Sequence, residues 1–400
     1  MRKKKIYRFL DKYLGIPLLF LLSIFLKKRR RLPIENIRKI LFIKLAAIGD
    51  TIILIPTFRA IKKKFPDAEL TFLCTPVNYE IAKKIPYFDK IINCDVHNFL
   101  YNPIKLLSFL KNLRKINYDV VIDGSQWERI ASLFTLFAKS QYSIGFNTEK
   151  QYRQFVYDRV VPHLRDKHEL ENFLDLLIPL GVEITDSDKQ LEYFLNDEDR
   201  KFANDFWSNN KLSERMVICF HPGCGDNGQP REWDIERYID LGKRLQKYND
   251  NITILITGAP NEVERCNKIA EGIGGNLINT AGKFTLNNVV ALVEKVKLIV
   301  CSNTGMLHIA SCVGTKTLGL HGPTNPVKWG SYNKDSVLIQ SDKFCSPCLY
   351  LGHEYGCQAP QCMAHIKVDD VFIHIRKALN PELFQISKMD FKNLKRENIN

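Results

Sequence analysis

The stretch Leu298 to Pro326, LIVCSNTGMLHIASCVGTKTLGLHGPTNP, holds two short apolar runs, Leu298 to Cys301 and Thr317 to Leu320, each followed by small residues. Runs of this length bounded by turn residues read as buried parallel strands. Met306 to Val313 between them reads as a helix, with Ser302-Asn303-Thr304-Gly305 supplying the tight turn and an N-cap. A helix entered through small residues aims free backbone N–H groups and its positive end at whatever binds there, which favours an anion. Gly322-Pro323-Thr324 is a second such turn at the same edge of the expected sheet. Together they predict a phosphate site at Asn303, Thr304, Gly305, Gly322 and Thr324. His308 lies about one helical turn past Thr304 and on its face; it reads either as a core histidine or as part of that site.

The same alternation extends in both directions. Strands are expected at Met216 to Phe220, Ile252 to Thr257 and Leu277 to Asn279, with helices at Ile235 to Tyr248, Glu262 to Glu271 and Leu286 to Val296. An earlier series has strands at Lys39 to Leu45, Glu69 to Cys74, Lys90 to Cys94, Asp119 to Ile122 and Tyr142 to Phe146. Its helices are expected at about Thr51 to Phe65, Ile104 to Ile116 and Gln126 to Lys139. Strands separated by helices mean parallel sheets covered on both faces. The fold class is therefore α/β, with two Rossmann-like, doubly wound domains facing a central cleft. The expected boundaries are 39–210 and 211–380, preceded by segment 1–38 and followed by a polar tail, 381–400.

A net charge of +14 suggests a nucleic-acid binder until it is located. Residues 1–31 carry eleven Lys/Arg and one acid, leaving only +4 for the other 369 residues. No nucleic-acid partner is expected. The basic tip surrounds an apolar segment, Leu14 to Leu26, broken only by Gly15, Pro17 and Ser23 and followed by five consecutive cations. It falls short of the roughly 20 apolar residues a spanning helix needs, and it lacks the small-residue cleavage site of a signal peptide. It reads as a monotopic anchor on an anionic membrane surface, or as a helix packed on the protein's own core.

Seven of the eleven cysteines are scattered through apolar patterns, which fits a reducing compartment. Cys345, Cys348, Cys357 and Cys362 cluster, with His353 and His365 interleaved. The alternatives there are a structural zinc site, reduced thiols in a loop, or a disulfide.

Three further constellations follow strands. Ile48-Gly49-Asp50-Thr51 puts a carboxylate at a helix N-terminus, as a cap or as a general base. His221 to Gly228 is a Gly-rich loop, including Gly223, with Arg231 just beyond. It lacks the Walker and GxGxxG spacings, so a surface loop and a phosphate cradle both remain open. Glu262, opening the helix after Gly258-Ala259-Pro260, is placed either to accept ribose hydroxyls or to compensate the helix dipole. Phe284 is placed to stack on a base or to pack in the core.

Taken in order, KILFIKLAAIGDTIILIPTFRAIKKKFP, HPGCGDNGQPREW and SNTGMLHIASCVGTKTLGLHGPTNP resemble glycosyltransferase family 9, the heptosyltransferases of lipopolysaccharide assembly, over roughly Lys39 to Val371. The resemblance implies a GT-B fold, with an N-terminal acceptor domain and a C-terminal domain for an ADP-sugar donor. It also implies inverting transfer that requires no metal cofactor. Asp50 matches the family's proposed base, Arg231 its phosphate-binding cation, and Thr304, Gly305 and His308 its donor motif. Glu262 and Phe284 fall where the family contacts ribose and adenine. Asn147 to Arg165, polar, aromatic and basic, is expected as an irregular acceptor-facing loop. The family motif has Asp where this chain has Asn303, which removes a charge beside the donor sugar. The partners implied are a nucleotide-sugar donor and a lipid-linked saccharide acceptor, met at the cytoplasmic face of the membrane. The other class of function is a non-catalytic nucleotide-binding subunit of an envelope-assembly complex, which Asn303 favours.

Overall fold

Among the described residues, twelve short strands form two six-stranded sheets, each flanked by the helices that connect its strands. The first contains β1 (Lys39–Ile43), β2 (Glu69–Cys74), β3 (Lys90–Asn93), β4 (Asn117–Asp123), β5 (Lys139–Asn147) and β6 (Arg159–Pro162). The second contains β7 (Met216–His221), β8 (Ile252–Ile256), β9 (Leu277–Asn279), β10 (Leu298–Ser302), β11 (Thr317–His321) and β12 (Val337–Gln340). The protein is described by a computed structural model covering residues 13–26, 36–225, 228–351, 357 and 361–380. The cations of residues 1–12 and 27–31, Asp226 and Asn227 of the Gly-rich loop, His353 and the tail from 381 lie outside the described residues.

Every pairing is parallel, and β8, β10 and β11 are buried along their whole length. That is why these strands read as unbroken apolar runs rather than alternating ones. The orders are β3-β2-β1-β4-β5-β6 and β12-β11-β10-β7-β8-β9, the same doubly wound order read from opposite edges. The winding direction reverses between β1 and β4 in one sheet and between β7 and β10 in the other. Helices leave to opposite faces at such a switch point and open a crevice at the C-terminal strand ends, where ligands bind.

The described residues divide into two units. The first runs to Phe194 and takes back Val327–Trp329 and Tyr350; the second holds most of the rest from Leu195. Against the expected boundary at 210/211, the helix Asp197–Asn209 belongs to the second unit. Asp199 accepts from Asn287 and Arg200 pairs with Glu294, both on the helix Leu286–Lys295.

Several local expectations need correction. The helix expected from Thr51 to Phe65 is two, Ile48–Ile53 and Ile55–Lys64, because Pro56 has no N–H for the bond to Ile52. The helix expected from Gln126 starts at Arg129, which leaves Gln126 in a loop. Asn147 to Arg165 is not simply an irregular loop. It forms edge strand β6 and packs Val156 and Tyr157 into the core, while Arg153, 1% exposed, donates to the carbonyls of Ser125 and Glu128. β12 and the helix Val368–Leu379 are additional elements of the second unit.

Candidate active site

At the first switch point, β1 delivers Lys44 to the sheet edge with its side chain fully buried. Its ammonium lies 2.8 Å from Asp50 Oδ2, donates to Gln126 Oε1 at 2.5 Å, and stands 5.3 Å from the Phe173 ring centroid. A buried cation is costly unless paired in this way. Asp50 sits in the first turn of Ile48–Ile53, but the cap position is Ala47, and no side chain caps the helix. The capping alternative is thus excluded. The Asp50 carboxylate answers Lys44 instead, with its side chain 19% exposed. Its ion pair and its weak contact with Gln126 Nε2, 3.4 Å, both fall on Oδ2.

Behind this pair lies a second charged layer. Gln126 Nε2 donates to Glu169 Oε1 at 2.8 Å, so one amide links Lys44 to Glu169. Glu169 is fully buried, with His163 Nε2 2.9 Å from Oε1 and Lys328 Nζ 2.6 Å from Oε2. Lys328 also donates to the Leu164 carbonyl at 2.9 Å, and the Tyr350 hydroxyl lies 2.7 Å from His163 Nδ1. Burial alone would raise the Glu169 carboxyl, but His163 and Lys328 outweigh it and hold the group well below the ordinary carboxylate range. Burial pushes His163 the other way, below its ordinary value, although Glu169 pulls it up. Nε2 of His163 faces Glu169, and the Tyr350 hydroxyl, beside Nδ1, also donates to the His163 carbonyl at 2.8 Å.

At the second switch point, the loop after β7 is locked by Glu262. Its Oε1 accepts from the Gly225 N–H and its Oε2 from the Ala259 N–H, both at 2.8 Å. A Cβ on Gly223 would stand 2.0 Å from the Glu262 carboxyl carbon, so only glycine lets loop and carboxylate meet. Glu262 is therefore a brace between the loops that follow β7 and β8.

Arg231 closes the short 3-10 turn Gln229–Arg231 and donates from Nη1 to Asn303 Oδ1 at 3.3 Å. Its buried Nε has no partner among the described residues. Thr304 occupies the N-cap of Gly305–Cys312 in an extended conformation, yet its side chain makes no cap bond and its buried Oγ1 has no partner among the described residues. His308 is buried on that helix. His321, at the end of β11, shares a hydrogen bond with Thr324 Oγ1 at 3.1 Å. Burial, with His308 and Arg231 nearby, pushes His321 down to about 3. Near neutral pH this imidazole carries no charge, so Arg231 and the helix N-terminus supply the positive field.

The second turn is tied from behind. Gln340 donates to the Gly322 carbonyl at 2.9 Å, and the Pro323 carbonyl accepts from Cys348 and Leu349. Phe284 packs edge-on against Phe202 and Phe206, with ring centroids at 4.9 and 5.8 Å. No group of three or more His, Cys, Asp or Glu among the described residues is placed to hold a metal ion.

Sequence reasoning missed Lys44, Gln126, His163, Glu169, Lys328, Tyr350 and His321. Lys44 had a local signal, a lysine at the end of an otherwise apolar strand. Lys328 and Tyr350 had none, since their partner His163 lies more than 160 residues away.

Two doubly wound sheets of the same order, each with polar groups gathered at its switch point, are the architecture of the GT-B fold. Residues 106–358 match the model of glycosyltransferase family 9 (heptosyltransferase), well over half of the chain, and the chain belongs to that family. The lipopolysaccharide core heptosyltransferase OpsX of Haemophilus influenzae is 25% identical over 352 residues, covering 86% of this chain and 97% of that protein. Lipopolysaccharide heptosyltransferase 1 of Escherichia coli is 22% identical over 316 residues, covering 76% and 94%. Among solved structures, the family 9 glycosyltransferase of Veillonella parvula superposes with a TM-score of 0.68 at 20% identity, covering 86% of this chain and 98% of that one. The E. coli heptosyltransferase WaaC with ADP gives 0.64 at 20%, covering 85% and 99%. These superpositions establish the fold.

Proposed function

We propose that this enzyme transfers heptose from ADP-heptose, with inversion and without a metal cofactor, onto a lipid-linked saccharide of lipopolysaccharide core or a related envelope glycan. The observation that carries this reading is the chemical division between the two switch points. One presents a partly exposed carboxylate held by a buried lysine, suited to take a proton from an acceptor hydroxyl. The other presents an arginine and a helix N-terminus, suited to a diphosphate leaving group. In this reading Asp50 is the base. Arg231, Asn303, Thr304, Gly305 and His308 receive the donor, with Gly223, Gly322 and Thr324 shaping the loops around it. Glu262 and Phe284 border the nucleoside. Residues 1–31 attach the enzyme to the anionic cytoplasmic face of the membrane, where the acceptor is confined.

Calorimetry with ADP, UDP and GDP tests the donor class: ADP is expected to bind most tightly, and ADP-heptose should release ADP only when acceptor is added. Tight ADP binding with no release under any acceptor would favour the non-catalytic subunit instead, the reading that Asn303 supports by leaving Arg231 against a neutral amide.

Arg231→Ala is expected to weaken ADP binding by about 2 kcal/mol, roughly thirtyfold, because a charge-assisted hydrogen bond to phosphate is lost. Arg231→Lys should recover only part of that, since lysine has the charge without the fork. Unchanged affinity in the alanine variant would remove Arg231 from the donor site.

A further inference from the structure

The helix Gly15–Leu26 is apolar on every side. Leu19 and Ser23 are buried, and Leu22 and Leu26 pack beside them against Leu136, Val156 and Tyr157. The opposite stripe, Leu14, Leu18, Leu21 and Phe25, is spaced for one helix face and is 52–81% exposed. An exposed stripe of this kind on a folded domain marks a contact surface. A second helix, Pro103–Arg114, lies across the helix Arg129–Phe137, which packs against both. Leu110 and Leu113 of that helix pack into the core around Phe134, and Leu133 and Phe137 of the intervening helix Arg129–Phe137 touch both clusters. Its outward face carries Ile104, 76% exposed, and Leu107, 64% exposed, and continues into Lys111 and Arg114, also exposed. Between Val96 and Ile116 there are four cations and no acid.

From this juxtaposition we infer that Gly15–Leu26 and Pro103–Arg114 form one two-helix platform that docks on an anionic lipid bilayer, with Ile104 and Leu107 as a second insertion point besides the N-terminal anchor. Charge selects the occupant. A helix with two exposed aliphatic side chains, lysines and arginine beside them and no acid has the composition of an interfacial helix. The first helix, 12 residues long, is about 18 Å at 1.5 Å per residue, too short to cross the hydrocarbon core. No helix among the described residues is long and apolar enough to cross a membrane. The platform extends the membrane reading proposed above to a second element, but its test needs no acceptor and no turnover.

The full-length chain is to be sedimented with vesicles of phosphatidylglycerol and phosphatidylethanolamine, and separately with phosphatidylcholine alone. Binding is expected to the first and to weaken with added salt. The double substitution Ile104→Asp with Leu107→Asp should lower partitioning about tenfold or more, as should Leu21→Asp with Phe25→Asp. Ile178→Asp, exposed elsewhere on the same unit, should leave it unchanged. All three alter exposed positions, and an unchanged thermal midpoint confirms that the fold is intact. Full binding by the Ile104/Leu107 variant would overturn the second insertion point. A wild-type dimer in sedimentation velocity that the same substitutions dissociate, with no vesicle binding, would assign the face to a second copy. Absent sugar transfer with vesicle binding intact would sink the enzymatic reading and leave the platform standing.

Discussion

Asp50→Asn is expected to lower kcat by about 10² to 10⁴, the usual contribution of a positioned general base, while ADP affinity changes by less than about twofold. Asparagine keeps the size of the side chain and an oxygen able to accept from Lys44, so the loop after β1 retains its tie to the sheet. What it cannot do is take a proton from an attacking hydroxyl. The substitution separates chemistry from binding, because the residues assigned to the donor belong to the other structural unit. Rates of ADP release from ADP-heptose with saturating acceptor supply kcat, and calorimetry with ADP supplies the affinity. Turnover within about threefold of wild type would end the assignment of Asp50 as the base.

The architecture was legible from spacing because both sheets are parallel and covered on both faces, which makes each central strand a short apolar run between turns. Elements at the margins were harder. Val337–Gln340 is half-exposed along its length and offers only four residues, so nothing distinguishes it from a loop. Val368–Leu379 was readable, since Val371, Ile375 and Leu379 recur at helical spacing and are the buried residues. Residue type left Asp50 open between cap and base, since aspartate favours caps; its pairing with Lys44, out of reach of local pattern, decides against the cap. Gln126 was assigned to a helix by pattern, whereas its amide joins Lys44 to Glu169 from a loop. Glu262 was read as facing ligand or dipole. The contact that explains it is with Gly223 and Gly225, some forty residues earlier.

The deeper charged layer explains how Asp50 can depend on a lysine that water never reaches. Lys44 has one carboxylate in direct contact, and Gln126 presents its oxygen to Lys44 and its nitrogen to Glu169. An amide has a donor end and an acceptor end, so Gln126 is oriented only while Glu169 remains an acceptor. Glu169 remains one because His163 and Lys328 hold it ionised. The segment Val327–Trp329 thus returns to the first unit to complete the support of that unit's own switch point.

Lys328→Met is therefore expected to destabilise the protein by about 3–5 kcal/mol near pH 8, the cost of leaving a buried charge without its partner. Methionine preserves most of the volume, so lost packing is a minor part of the effect. The pH dependence identifies the cause. In the wild type the folded state holds His163 below its ordinary value, so protonation of His163 is opposed and stability is lost as pH falls through the unfolded value of about 6.5. Glu169, also held low, contributes stability that is present above its unfolded value of about 4.3 and lost at more acid pH. Removing Lys328 deletes one of the charges that lower His163 and leaves Glu169 in need of a cation. Burial still lowers His163, but less strongly without Lys328, so the variant loses less stability than the wild type as pH falls through the unfolded value. The deficit of the variant should accordingly shrink between pH 8 and pH 5.5. Urea midpoints of both proteins across that range measure it, and a deficit constant with pH would mean that the loss comes from packing rather than from an unpaired Glu169.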